Sequence, residues 1–190
     1  SMTPTADLPN GVLLQVRVRV FDGELWSDWS NVGWMKINMT PGAEITYPSG
    51  TQDAPTITGP NPTITWNQWD PDPGTVFLRY QVQVWNEAGT AVVYDSGEMF
   101  QYTSDTTQSH PIEGLPPGQK LRVRVRVFDG YVWSPWSADK WLFTNRAPVA
   151  DFDWSPKPIW EGDTVTLTNL SSDPDGDALT SVWEITDPGG

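Results

Sequence analysis

Tryptophan and arginine are the side chains most firmly committed to a pattern in this chain. Trp26-Ser27-Asp28-Trp29-Ser30 and Trp133-Ser134-Pro135-Trp136-Ser137 share the spacing W-S-x-W-S, and each follows a stretch in which valine alternates with arginine. A guanidinium plane stacks well on an indole face, each contact giving about 0.5–1 kcal/mol at an exposed site. Stacking of that kind would build ladders of Arg17 and Arg19 with Trp26 and Trp29, and of Arg124 and Arg126 with Trp133 and Trp136. Such a ladder stiffens the fold. The competing reading makes the same indoles a platform for sugars or another protein, which needs ring area that stacking on both faces would consume.

Carboxylates form the second group with chemical potential. Asp70-Pro71-Asp72-Pro73-Gly74 and Asp173-Pro174-Asp175-Gly176-Asp177 have the oxygen density and the glycine of a Ca²⁺ loop, without the distal glutamate of the full twelve-residue pattern. Calcium on Asp70 and Asp72, or on Asp173, Asp175 and Asp177, is weighed against a solvated turn fixed by Asp and Pro. No cofactor is required on either reading. The sequons at Asn38 and Asn169 are candidate glycosylation sites on an exported chain. His110 is the single histidine, with no serine or carboxylate pair placed to complete a triad, so no catalytic residues are assigned and no enzyme activity is expected.

Composition narrows the partners. A formal charge of −13 disfavours nucleic acid, because phosphate contacts need clustered, unengaged Lys and Arg. Without cysteine there is no disulfide framework or thiolate metal site. No run of about 18 apolar residues occurs, so no membrane insertion is expected in this segment.

The elements that must carry these residues are strands. Valine alternates with arginine or glutamine from Leu14 to Phe21 and from Leu121 to Phe128, the period of a half-buried strand, with Val123, Val125 and Val127 inward. Asp22-Gly23 and Asp129-Gly130 supply turns, and return strands run through Trp34–Ile37 and Trp141–Thr144. Upstream of the second copy, strands are read at residues 44–47, 63–66, 77–85, 91–94 and 107–112, which makes seven in all. Residues 145–150 read as a linker and first strand, and 164–168 as the next. The two motif copies begin at Leu8 and Leu115, 107 positions apart, about one small β-domain. The fold class is therefore all-β: tandem immunoglobulin-like β-sandwiches, one complete module at 43–146 flanked by partial modules at 1–42 and 147–190.

Trp66 after T-I-T, the Y-Q-V-Q-V-W strand from Tyr80, the L-P-P-G turn at Leu115 and the R-V-R-V strand together resemble a fibronectin type III domain. The W-S-x-W-S copies resemble the motif of type I cytokine receptors, which implies the interleaved tryptophan and arginine stack. The usual tyrosine of the penultimate strand is Leu121 here, and Leu14 in the first copy, so apolar packing is expected to replace the tyrosine corner. The segment from Asn145, with S-S-D-P-D-G-D at Ser171 and W-E-I-T-D-P-G at Trp183, resembles a PKD (polycystic kidney disease) domain of bacterial and archaeal surface proteins. That resemblance implies a core role for Trp183 and strengthens the calcium reading at Asp173, Asp175 and Asp177. Trp66 and Trp85 are also expected in the core, while Trp34, Trp69, Trp141, Trp154 and Trp160 are left open as core or sugar-stacking residues.

These features point to a non-catalytic structural or adhesion segment of a large bacterial or archaeal exported or cell-surface protein. Alternatives are an accessory region of a secreted polysaccharide- or protein-degrading enzyme, and a filament or layer subunit. Expected partners are neighbouring modules or copies of the chain joined by β-strand pairing, with polysaccharide or extracellular protein as further candidates.

Overall fold

The computed structural model describes residue 3 and residues 7–187. Strict alternation in the sequence becomes a two-sheet sandwich. One sheet orders β3 (Gly42–Tyr47), β5 (Thr63–Trp69) and β9 (Thr107–Pro111) as β3-β5-β9. The other runs β4 (Thr56–Thr58), β11 (Lys140–Thr144), β10 (Lys120–Phe128), β6 (Phe77–Asn86) and β7 (Val92–Asp95), with β8 (Met99–Thr103) also on β6. All these pairs are antiparallel except β4 with β11. This is the immunoglobulin-like sandwich read from the sequence.

Its core sits where the inward residues of the two sheets meet. Ile45, Ile64 and Trp66 come from one side, and Val82, Val84, Val123, Val125, Val127 and Leu142 from the other, all almost completely buried. Burying each such aliphatic side chain is worth about 1.5–3 kcal/mol. Leu121 is fully buried, so apolar packing does occupy the tyrosine-corner position.

Nine strands, against the seven expected, build this sandwich. β4 was not anticipated because its three residues lie between Pro55 and Pro60. β8 inverts the usual pattern, burying Gln101 and exposing Phe100 and Tyr102.

Among the described residues each flanking segment holds two strands. β1 (Leu13–Val16) pairs with β2 (Gly33–Lys36), and β12 (Phe152–Ser155) with β13 (Thr166–Asn169). The first arginine strand ends at Val16 and does not reach Phe21, because among the described residues no strand equivalent to β6 pairs with it. Within 145–150 only Val149 forms a bridge, to Ser172, and the strand proper starts at Phe152. Trp183 is 42% exposed, set edge-on to Phe152 at 5.7 Å, because the described residues put no second sheet against β12 and β13. Trp85 points outward, on the face opposite Val84.

Candidate functional site

Two alternating faces of β10 divide the labour. Val123, Val125 and Val127 fill the core, which forces Arg122, Arg124 and Arg126 onto the outer face. Beyond Phe128 the chain turns at Asp129-Gly130. The Asp129 Oδ1 accepts the backbone N–H groups of Tyr131 and Val132, both at 2.7 Å, and Gly130 has φ of 99°, a conformation suited to glycine. The chain then returns along the strand edge. The N–H of Val127 donates to Ser134 Oγ (3.0 Å) and that of Val125 to Ser137 Oγ (3.1 Å), while the serine N–H groups donate to the same residues' carbonyls at 2.8 Å. The three-residue step of the serines is thereby matched to a two-residue step on the strand. This explains the W-S-x-W-S spacing: the serines clip the segment down and the tryptophans turn onto the arginine face.

There the rings and guanidinium groups alternate. Arg126 lies 4.5 Å from the centre of Trp133 and 4.8 Å from that of Trp136, and Arg124 lies 4.5 Å from Trp136 and 4.7 Å from Trp85. Neighbouring β6 locks the order. Gln83 Oε1 accepts from Arg124 Nε and Nη2 at 3.2 and 2.8 Å, and Gln81 Oε1 accepts from Arg126 Nε and Nη2 at 2.9 and 2.6 Å. The two glutamine amides donate in turn to Asp95, each at 2.7 Å. Burial raises the Asp95 carboxyl, but these bonds, with the Gly97 N–H and the charge of Arg126, outweigh it and hold the group below the usual range. Burial, followed by other charges that include Arg122 and Arg126, lowers Arg124 against the pull of Asp139 and Asp95.

The sequence reading paired the arginines with four tryptophans and missed Trp85, Gln81, Gln83 and Asp95. The signal was present in Tyr80-Gln81-Val82-Gln83-Val84-Trp85, where valine inward requires glutamine and tryptophan outward.

The first copy repeats the local part of this arrangement. Arg17 lies 4.5 Å from Trp29, and Arg19 4.9 Å from Trp29 and 4.5 Å from Trp26. Ser30 and Ser27 accept from the N–H groups of Val18 and Val20, both at 3.0 Å. Asp22 accepts from Glu24 and Leu25 at 2.8 Å, and these bonds hold its carboxyl below the usual range.

In the acidic loops several carboxylate oxygens are held by protein donors, while among the described residues Asp70 Oδ2 and Asp72 Oδ1 are buried without a hydrogen-bond partner. Both oxygens of Asp175 are taken by Arg146, through the backbone N–H at 2.6 Å and Nε at 2.8 Å, and these bonds lower its pKa. Asp173 Oδ1 accepts from the N–H groups of Asp175 and Asp177. In the other loop Asp70 Oδ1 accepts the Asp72 N–H, and Asp72 Oδ2 accepts the Met39 N–H at 3.1 Å and lies 3.6 Å from Lys36 Nζ. Burial raises Asp70, helped by the charges of Asp129 and Asp72. Among the described residues no three acidic or histidine side chains form a metal-holding group. Asp72 joins its loop to the first segment, and Asp175 joins Arg146 to the third.

Asn38 Nδ2 donates to Asp129 Oδ2 at 2.7 Å and to the Met39 carbonyl, so this sequon's amide is engaged, whereas Asn169 lies exposed on β13. His110 is buried, with Nδ1 3.0 Å from the Tyr80 hydroxyl and Nε2 2.6 Å from that of Tyr94. Burial pushes its pKa down.

No curated protein matches the chain. Among solved structures it is similar to an α-L-rhamnosidase from Dictyoglumus thermophilum, at 14% identity and a TM-score of 0.42, covering 70% of this chain and 16% of that one. It is also similar to the FN1–FN3 domains of chicken CNTN1, at 15% identity and a TM-score of 0.35, covering 73% of this chain and 45% of that one. The chain thus spans less than half the length of either. Residues 49–146 match the family described as the Rha78A-like, N-terminal immunoglobulin domain. That stretch is just over half the sequence and takes in β4 to β11 with the complete ladder, and the chain belongs to this family.

Proposed function

We propose that the chain is a non-catalytic accessory segment of an exported, glycan-processing protein, in which an immunoglobulin-like module at 43–146 holds its neighbours at a fixed distance. In this reading residues 1–42 are part of a second fibronectin type III-like module, and residues 147–190 are the N-terminal part of a PKD-like module. The observation that supports it best is the match to an N-terminal immunoglobulin domain over residues 49–146. The ladder adds support, since Trp136 is shared by two guanidinium groups and Trp133 lies between Arg126 and Phe128. Rings so engaged serve rigidity better than ligand capture.

The test is incubation of the purified chain with a panel of aryl glycosides, an aryl α-L-rhamnoside among them. No turnover above background is expected, and turnover that tracks the protein through size exclusion would overturn the reading.

A second reading, polysaccharide binding, is favoured by one feature. Tyr102 and Tyr131 are 75% and 82% exposed, and both line a cleft of about 480 Å³ with Lys36, Asn38 and Asp129. Aromatic faces beside polar groups suit a sugar ring. Retardation in polysaccharide affinity gels that is lost on Tyr131→Ala would support binding there. Equal mobility with and without polysaccharide would remove it.

A further inference from the structure

The chain crosses two joints that are built alike. Gly11 and Gly118, which end the two Leu-Pro turns, and the connecting residues Met39 and Arg146 are each related by the 107-residue offset of the repeat. At both joints the backbone N–H of the connecting residue donates to the second aspartate of an Asp-Pro-Asp loop, Met39 to Asp72 Oδ2 at 3.1 Å and Arg146 to Asp175 Oδ2 at 2.6 Å. In both loops the first aspartate's Oδ1 accepts the N–H of the second at 2.7 Å. The turn glycine closes over the same place in each. A Cβ at Gly11 would lie 2.6 Å from Asp72 Oδ1, and one at Gly118 would lie 2.7 Å from Arg146 Nε.

The joints differ in how the carboxylate is completed. Arg146 Nε donates to Asp175 Oδ1 at 2.8 Å, whereas Met39 has no side-chain donor. Among the described residues Asp72 Oδ1 therefore lies buried without a hydrogen-bond partner, and so does Asp70 Oδ2. The Asp72 side chain is 1% exposed, where an unmatched charged oxygen is costly. Asp70, Asp72 and Asp129 place three carboxylates here against the ammonium of Lys36, which lies 3.6 Å from the other oxygen of Asp72 and is 39% exposed. The second joint follows the complete sandwich, and among the described residues Arg146 is all that this sandwich brings to Asp175. Its counterpart in the first joint is Met39, which is in place.

We propose that the first joint binds a hard divalent cation, with Asp70 Oδ2 and Asp72 Oδ1 as protein ligands, in the role that the Arg146 guanidinium plays at the second joint. The donors are oxygens alone, the chemistry that Ca²⁺ and Mg²⁺ share, and water completes the shell. The bound cation fastens the loop to the first segment through Asp72, which already holds the Met39 N–H. One joint is thus locked by a side chain and the other by a metal. The site stands whether or not the sandwich serves as a spacer.

Urea unfolding of the intact, EDTA-stripped chain, repeated with CaCl₂ and with MgCl₂ up to about 10 mM, tests this. At least one of the two salts should raise the midpoint saturably, and the lower half-saturation identifies the preferred cation. Asp72→Asn should raise that half-saturation at least about tenfold. Met39→Arg supplies the guanidinium of the second joint, so it should raise the midpoint in EDTA and abolish the response to either cation. A cooperative transition shows that each variant folds, and Met39→Arg decides the matter if Asp72→Asn does not fold. A cation response that survives either substitution in a folded variant would mean binding elsewhere on the acidic surface, and would overturn the proposal. No response to either salt would mean that water alone serves the two oxygens, and would also overturn it.

Discussion

Both copies of the motif contain the same serine clips, the same aspartate turn and the same stacking distances, yet one is a nine-residue strand in a packed sandwich and the other leaves the ladder after a four-residue strand. Arg19 lies 4.5 Å over Trp26 as Arg126 does over Trp133, and Phe21 meets Trp26 at 5.1 Å as Phe128 meets Trp133 at 5.2 Å. The valines part company. Val18 and Val20 are 62% and 66% exposed, where Val125 and Val127 are fully buried. The ladder is thus a local device, written into about twenty residues, and burial is supplied by β6 and the opposing sheet. Fold stability and ladder geometry are separable in this chain.

The largest effect that would break this contrast comes from placing a charge at equivalent valines. Val125→Asp buries an unpaired carboxylate and should cost several kcal/mol, enough to unfold the sandwich of β3 to β11. Val18→Asp faces solvent and should change stability by less than about 0.5 kcal/mol. Urea unfolding followed by tryptophan fluorescence distinguishes the two. Equal losses would mean that the first copy is packed as tightly as the second.

A smaller difference is expected at the arginines. Arg126→Ala removes two ring contacts and leaves Gln81 Oε1 without its donors, a loss of about 2–3 kcal/mol. Arg19→Ala removes two ring contacts and no described hydrogen bond, and should cost about 1 kcal/mol of local order. Near-ultraviolet circular dichroism, which reports the stacked indoles, should fall in both variants, while the urea midpoint should move only in the first.

How far the sequence could reveal this follows from the range of each interaction. The alternation of Val123, Val125 and Val127 and the turn at Asp129-Gly130 are local, so strand, face and ladder partners were readable. Gln81 and Gln83 enter only through the pairing of β6 with β10, which places residues more than forty positions apart side by side, and Asp95 through the pairing of β7 with β6. Trp85 was misplaced because a tryptophan in a strand looks like core until the parity of its neighbours is counted. The pairing of Asp175 with Arg146 was not readable because the arginine lies far off in sequence and nothing in the loop announces it.

The glycines of the two turns give a finer comparison. Gly23 and Gly130 have φ of 108° and 99°, so alanine is strained at both, by about 1–2 kcal/mol. A Cβ at Gly130 would also lie 3.1 Å from Leu78 Cδ1, whereas at Gly23 nothing is within 4 Å. Gly130→Ala should therefore lower the midpoint of the main transition. Gly23→Ala should alter only the first ladder's dichroism. A midpoint shift from Gly23→Ala as large as that from Gly130→Ala would show that the two turns unfold as one unit.

The smallest effect expected is a pH dependence confined to the complete sandwich, because its ladder has a buried histidine behind it and the first copy has none. His110 holds the hydroxyls of Tyr80 and Tyr94 on its two ring nitrogens, one as acceptor and one as donor when the ring is neutral. Protonation makes both nitrogens donors, so one hydroxyl must turn, and the charge is buried. Burial lowers the folded pKa below the ordinary 6.5, so the unfolded chain binds the proton more readily. Stability is therefore complete above 6.5 and declines as pH falls from there through the folded value. Asp95 and Asp175, whose folded values are lowered, lose their contributions only as pH falls below the ordinary 3.8, and Asp70, which is raised, works in the opposite direction to His110. Subtracting the midpoints of His110→Gln from those of the parent, over about pH 7.5 to 5, isolates the histidine. The parent should lose stability across that range relative to the variant. A flat difference would mean that the proton is accommodated between the two tyrosines without cost.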